Sequence, residues 1–202
     1  MNEICRQKKL IRQQFLQIRK CFEVNEIKAS QQLRENFIEL INLQKINIKN
    51  NIFGSYLAIY NEANCEKIEN FIKENQGIIC YPKINNELKT LDFIESVSKT
   101  ELVYNDIYKK ILEPKLGEIL IPNFLFIPLV CFDKNLNRIG MGAGFYDRTI
   151  AILKLKNPKL KLIGIAYDYQ FYNQDLPTEK TDQSLDFIVT NSSLFLQSKS
   201  KS

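Results

Sequence analysis

Pro128-Leu-Val-Cys-Phe-Asp133-Lys-Asn-Leu-Asn-Arg138-Ile139-Gly140-Met141-Gly142-Ala143-Gly144-Phe145-Tyr146-Asp147-Arg148 runs from an apolar segment through a polar turn into alternating glycines. The apolar part begins upstream at Leu125 and ends at Phe132, the composition of a buried strand. Beyond the glycines, Thr149 to Leu155 continues a helical pattern that Pro158 ends. A strand, a phosphate-type loop and a helix are therefore expected in that order.

The backbone carries the chemistry of such a loop. Gly140, Gly142 and Gly144 lack Cβ and can each take positive φ, so successive N–H groups can converge on an anion. The adjoining helix N-terminus adds free donors and a favourable dipole. Arg138 and Arg148 flank the loop with cations suited to phosphate or carboxylate, and Asp147 offers the hard oxygen that a magnesium-phosphate complex needs. Together they point to a magnesium-nucleotide site. The glycines by themselves do not: they fit neither Gly-x-Gly-x-x-Gly nor a loop ending in Gly-Lys-Ser/Thr, and a glycine-rich hairpin explains them equally well.

The flanking residues are more specific. Phe132-Asp133, followed by Arg138-Ile-Gly-Met-Gly-Ala-Gly-Phe-Tyr-Asp147-Arg148, resembles the signature of the 5-formyltetrahydrofolate cyclo-ligases, also called methenyltetrahydrofolate synthetases. The usual form in that family is Arg-Leu-Gly-x-Gly-x-Gly-Tyr-Tyr-Asp. Here Ile139 stands for Leu and Phe145 for the first Tyr.

Working outward, residues 4–23 read as an amphipathic helix with apolar positions Ile11, Phe15, Ile18 and Phe22. Lys8 and Arg12 lie one turn apart on it and by spacing alone are two solvated charges. The resemblance gives them a role, since the family begins with Lys-x-x-x-Arg reaching the nucleotide phosphates. Lys9 adjoins Lys8 and leaves the lysine open between the two. A second helix follows from Asn25 as N-cap, with Ile27, Leu33, Phe37, Leu40 and Ile41 on its apolar face.

Ile52 to Ile59 reads as a buried strand containing Gly54, and Ile68, Phe71 and Ile72 as a helix closed by Gly77. Between them stands Glu62, either a helix-opening acid or a ligand contact at the carboxyl end of a strand. The family carries Glu-Val-Asp-Thr there, with acids holding the folate; Glu62 matches the first, while Asn64 and Cys65 replace the other two. Ile78 to Tyr81 is a further strand, followed by Pro82-Lys83 and a hairpin turn at Asn85-Asn86 into Leu88 to Ile94. Lys83 is open between a phosphate, a folate glutamate tail and the surface.

Residues 95–111 suggest a helix or loop around Leu102, Tyr104 and Ile107, and Leu112-Glu113-Pro114 resembles the family's Glu-Pro step. Leu160 to Tyr167 is a strand apolar enough to be buried on both faces. Tyr167-Asp168-Tyr169-Gln170 after it is a site wall or a packed turn. Asp182 and Asp186, ahead of Phe187-Ile188-Val189, resemble the family's closing Asp-x-x-x-Asp and last strand, with the first acid meeting Asp147 at the metal.

Composition bounds the chemistry. The chain has 202 residues, 45% of them hydrophobic, with a net charge of +5, enough for one domain with a sizeable core. Five scattered cysteines without a CxxC pair suit a reduced cytoplasmic setting. No histidine is present, which excludes an imidazole base; magnesium-assisted phosphoryl chemistry works without one. No apolar run is long enough to span a membrane.

Alternating strands and helices predict an α/β fold: a single three-layer domain over residues 1–197 with a mainly parallel sheet flanked by helices, and a short polar tail over 198–202. The resemblance implies a Rossmann-like version of that sheet and the conversion of 5-formyltetrahydrofolate, possibly polyglutamylated, to 5,10-methenyltetrahydrofolate. ATP is the co-substrate, Mg2+ the cofactor, and ADP and phosphate the products. It further implies ATP contacts from Lys8, Arg12 and Arg138, Ile139, Gly140, Met141, Gly142, Ala143, Gly144, Phe145 and Tyr146. Folate contacts fall to Leu57, Glu62 and residues 141–145, catalysis to Arg138, Tyr146 and Asp147, and the metal to Asp147 and Asp182. A monomer with neither nucleic acid nor membrane as partner is expected. Two rivals stay open: a basic nucleic-acid module, which lacks a binding motif, and a folate or nucleotide binder without turnover, suggested by Asn64 and Cys65.

Overall fold

The computed structural model describes residues 3–95 and 102–197; the polar tail lies outside them. The chain opens with helices α1 (Glu3–Cys21) and α2 (Glu26–Gln44), then β1 (Ile52–Gly54), α3 (Glu66–Glu74), β2 (Ile78–Asn85) and β3 (Thr90–Glu95). Short strands β4 (Leu102–Tyr104), β5 (Leu112–Pro114) and β6 (Ile119–Leu120) lead to β7 (Phe124–Pro128), β8 (Cys131–Phe132) and β9 (Arg138–Ile139). Helix α4 (Phe145–Lys156), β10 (Lys161–Ile165), a 3-10 turn (Asp168–Gln170), β11 (Phe187–Val189) and β12 (Leu194–Leu196) complete it.

Eight strands form one mixed, mostly parallel sheet in the order β12-β11-β10-β7-β1-β2-β3-β6. The four inner junctions are parallel and the outer ones antiparallel. β7 shows why its sequence is apolar without a break. Phe126 packs with Leu33 and Phe37 of α2 and Ile68 and Ile72 of α3, while Leu125 and Ile127 pack with Ile150 and Leu153 of α4 on the opposite face. From β1 the chain moves to β2 on one side and later returns to β7 on the other. The carboxyl ends of β1 and β7 therefore flank a topological switch point, where an open α/β sheet forms a crevice.

Local physics revises several expectations. The Asn25 side chain caps α2 by accepting the Lys28 N–H at 3.0 Å, but Ile27 is solvent-exposed and adds nothing to the apolar face. Gln76, at φ 62°, takes the left-handed position after α3; Gly77 is there because a Cβ would stand 2.5 Å from Ile72 Cγ2. β1 stops at Gly54, where a Cβ would meet Leu125 of β7 at 2.7 Å, and residues 55–59 leave the sheet. Residues 102–114 form the β4–β5 hairpin rather than a helix, with Glu113 accepting hydrogen bonds from Ile84 N and Asn105 Nδ2.

The run from Leu125 to Phe132 is likewise two strands, because β8 pairs with β9. The fully buried Asp133 carboxylate closes that hairpin. It accepts Asn135 N and Asn137 N at 2.9 Å, Asn137 Nδ2 at 3.0 Å and Leu176 N at 2.9 Å. Helix α1 lies on this hairpin through Phe15, which packs with Val130, Cys131, Ile139 and Leu176. Replacing Asp133 by Ala removes the acceptor of three backbone donors, of which Leu176 N is buried, and urea denaturation is expected to show a loss of about 1–3 kcal/mol. A loss under about 0.5 kcal/mol would mean that the turn holds without its carboxylate.

Candidate active site

A cavity of about 970 Å3 opens at the carboxyl ends of β1 and β7. All the candidate residues line it: Lys8 and Arg12 from α1, Leu57 and Glu62 from the segment after β1, residues 138–147 from β9 through the start of α4, and Asp182. Its walls carry seven Lys or Arg side chains, Lys8, Lys9, Arg12, Lys109, Lys110, Arg138 and Arg148, against the four acids Glu62, Asp147, Glu179 and Asp182. That balance suits an anionic ligand.

The glycine loop is shaped by two of its three glycines. Gly142 has φ 99° and Gly144 φ 71°, both left-handed, whereas Gly140 has no positive φ and no atom within 4 Å of a Cβ placed on it. Gly144 sits at the N-cap of α4, and no described side chain caps that end, so the first-turn N–H groups remain available. Arg12 Nε donates to the Gly140 carbonyl at 2.7 Å, and its guanidinium lies 3.1 Å from where a Cβ on Gly142 would be. Arg148 braces the loop as well, donating to Ala143 O at 2.9 Å and Lys89 O at 2.8 Å.

The charged side chains come in pairs. Arg138, nearly buried, donates to Asp147 Oδ1 at 2.7 Å and to the Gln183 carbonyl. Lys8 donates to Asp182 Oδ2 at 2.5 Å and Glu179 Oε2 at 3.0 Å, and Asp182 also accepts Glu179 N at 2.7 Å. Burial lowers the Lys8 pKa, but the bonds and charges of Asp182 and Glu179 outweigh it, so the net shift from 10.5 is upward. Asp147 and Asp182 thus face one cavity with a cation partner each. No described group of three or more His, Cys, Asp or Glu forms a metal cluster.

At the other end Glu62 turns back on its own segment, accepting Ile59 N at 3.1 Å, four residues before α3 begins. Burial pushes its carboxyl up to about 7, against the opposing effects of that N–H and of Arg19. Tyr146, on the first turn of α4, stands between this pocket and the glycine loop; burial followed by the Glu62 charge raises its hydroxyl pKa. Asn64 caps Glu66 N at 2.8 Å and Cys65 is buried, both off the cavity lining.

Several residues open to a site role lie elsewhere. Lys83 donates to Lys115 O, and Asp186 is engaged by Lys161 Nζ and Leu162 N at 2.8 Å. Gln170 straps the chain after β7 by donating to Leu129 O at 2.6 Å, the packed-turn alternative. Residues that sequence reasoning missed are Glu179, Tyr56 and the wall contributed by residues 108–112. Nothing local marks them, since each reaches the cavity from a loop positioned by distant contacts.

The family described as 5-formyltetrahydrofolate cyclo-ligase matches residues 4–191. The 5-formyltetrahydrofolate cyclo-ligase of Mycoplasma genitalium is 30% identical over 180 residues, 87% of this chain and 94% of that protein. The structure of a 5,10-methenyltetrahydrofolate synthetase from Mycoplasma pneumoniae aligns with a TM-score of 0.68 at 25% identity, covering 91% of this chain and 98% of that one. That of the Aquifex aeolicus 5,10-methenyltetrahydrofolate synthetase, at 23% identity, shares the fold with a TM-score of 0.74 over 96% and 95%. With a family match across nearly all of its length and a full-length relative at this identity, the chain belongs to the 5-formyltetrahydrofolate cyclo-ligase family.

Proposed function

We propose that this cavity converts 5-formyltetrahydrofolate to 5,10-methenyltetrahydrofolate with ATP, releasing ADP and phosphate, in a single Rossmann-like domain over residues 1–197 that acts as a monomer. The observation that carries the reading is one continuous cavity with a cation-lined phosphate-type loop at one end and the Glu62 pocket at the other. Two substrates that exchange a phosphoryl group must meet in such a space.

A formamide is a poor electrophile and its oxygen a poor leaving group. The formyl oxygen therefore attacks the γ-phosphorus, forming an O–P bond as the bond to ADP breaks. N10 of the folate then adds to the activated carbon and loses its proton, and departure of phosphate breaks the C–O bond and leaves the methenyl bridge. The loop N–H groups at 142–146 bind phosphate oxygens, and Arg12 and Lys8 neutralise charge from the side of α1. Arg138 orients Asp147, Tyr146 separates the nucleotide from the folate, and Leu57, Glu62 and residues 141–145 border the folate.

The donor set fits magnesium carried in by the phosphates. Asp147 Oδ1 is held by Arg138, leaving Oδ2 as a hard oxygen at the cavity wall, and one or two carboxylates suffice when phosphates complete the shell. Asp182 is the second such oxygen source, and its bond to Lys8 also fixes that lysine. When bound, the ion offsets charge on the transferring phosphoryl group.

The decisive assay follows absorbance of the methenyl-folate band with 5-formyltetrahydrofolate and magnesium. Growth is expected only with ATP; a folded protein that binds folate yet shows no growth would leave a binding protein of the same fold. Asp147→Asn is expected to lower kcat by roughly 100-fold or more while the melting temperature changes little, because the side chain is partly exposed. Unchanged kcat would remove Asp147 from the reaction. Gly142→Val is expected to be more damaging than Asp147→Asn, since it forces a β-branched residue to φ 99° and meets the Arg12 guanidinium at 3.1 Å. Retention of near-normal ATP affinity would show that the loop does not bind phosphate through its backbone.

A further inference from the structure

Arg19 lies behind the cavity wall, 3% exposed, and is not itself part of the lining. Its Nη2 donates to Leu129 O at 2.6 Å, just past the end of β7, which fixes the guanidinium. Nη1 stands 3.9 Å from Glu62 Oε1, the Tyr169 hydroxyl lies beside the guanidinium as a weak acceptor, and neither Nε nor Nη1 has a well-formed hydrogen bond among the described residues. A buried cation with unused donors is costly unless its charge is needed where it stands.

What it faces is the pocket of Glu62. The other titratable groups there are Tyr56 on the segment after β1, Cys65 before α3, Tyr146 on α4 and Tyr169 in the 3-10 turn. Burial pushes the pKa of each upward, so all four stay neutral. Arg19 is thus the cation that this carboxylate meets, and Ile59 N is the one donor hydrogen-bonded to it among the described residues.

We propose that Arg19 is a positioning residue for Glu62, favouring its carboxylate form and directing it into the cavity so that it can accept hydrogen bonds from the N–H groups of the bound pterin. The inference rests on the assignment of Glu62 to folate made above. It explains why a cation with spare donors is kept in the interior beside Glu62. Burial already brings the Glu62 carboxyl to about 7 with Arg19 present, so loss of the positive charge moves it higher and leaves the acid protonated at neutral pH.

The test is the dissociation constant of 5-formyltetrahydrofolate, measured by calorimetry without ATP on the full chain from about pH 6 to about pH 9. A one-unit rise in the Glu62 pKa makes Arg19→Met bind about fivefold more weakly at pH 7, with the deficit fading to near parity at about pH 9. Arg19→Lys, which keeps the charge, is expected within about twofold of the parent at pH 7. Arg19→Gln keeps a donor for the Leu129 carbonyl without the charge, and gives the same pH signature should the Met variant fail to fold. Glu62→Gln is expected to bind weakly with no dependence on pH across this window. Weakening of Arg19→Met and Arg19→Gln by the same factor at every pH, or no weakening, overturns the role of Arg19 while Glu62→Gln still reports on the folate pocket. Unaltered binding by Glu62→Gln overturns the folate assignment itself and this proposal with it.

Discussion

The cations of helix α1 are what tie the site to the sheet. Lys8, Arg12 and Arg19 are spaced so that all three project from one side of the helix. Each reaches a different part of the carboxyl edge: Lys8 the Glu179 and Asp182 carboxylates, Arg12 the Gly140 carbonyl, and Arg19 the Leu129 carbonyl. Phe15, on the same helix, supplies the apolar contact with the β8–β9 hairpin. Without α1 the glycine loop loses its brace and the cavity one of its walls. The helix furthest from the active-site signature in sequence is therefore inseparable from it in space.

That arrangement settles how positive charge is used. Arg148 flanks the glycines in sequence as Arg138 does, yet it bonds the backbone carbonyls of Ala143 and Lys89, whereas Arg138 is held against Asp147. Arg12, well over a hundred residues away in the chain, is the cation that touches the loop from the cavity side. A phosphate approaching the loop meets backbone donors and a guanidinium already fixed by a carbonyl, so little side-chain freedom remains to be lost on binding. Lys8 is fixed in the same way by two carboxylates, which also keep it protonated.

What the sequence made legible follows from how local each feature is. The glycine loop, the capping Asn25 and the apolar β7 are set by neighbours in the chain, and they read correctly as loop, helix start and buried strand. The splitting of the 125–132 run was not readable, because Asp133 closes its turn with Leu176 N, a partner 43 residues away. Gly77 reads as a helix stop, but its requirement is contact with Ile72 and Ile48, and periodicity carries no information on packing distance. Glu62 reads as an ordinary first-turn acid for the same reason. Its meeting with Arg19 depends on a contact with α1 that is remote in sequence; its place after a strand left a ligand contact open, and the resemblance favoured that alternative. Glu179 had no signal at all, since its partner Lys8 is 171 residues distant.

Glu62 also shows that this fold gives up stability at the wall of its cavity. Its folded pKa of about 7 lies above the ordinary carboxyl value of 4.5, so between those values the native state holds a proton that the unfolded chain has released. The group's contribution to stability therefore falls as pH rises through that window, and it is least favourable where the carboxylate is ionised. Ionised is also the form that accepts hydrogen bonds from a pterin. The Glu69 carboxylate, more deeply buried between Ser55 and Tyr81, shows how such a group is satisfied away from the cavity: both oxygens have a hydroxyl donor, at 2.6 and 2.5 Å. Glu62 has one backbone donor and a guanidinium at 3.9 Å, leaving acceptor capacity that only something entering the cavity can use. The two acids thus differ in whether the protein itself completes their hydrogen bonding, and the incomplete one is the one that lines the cavity.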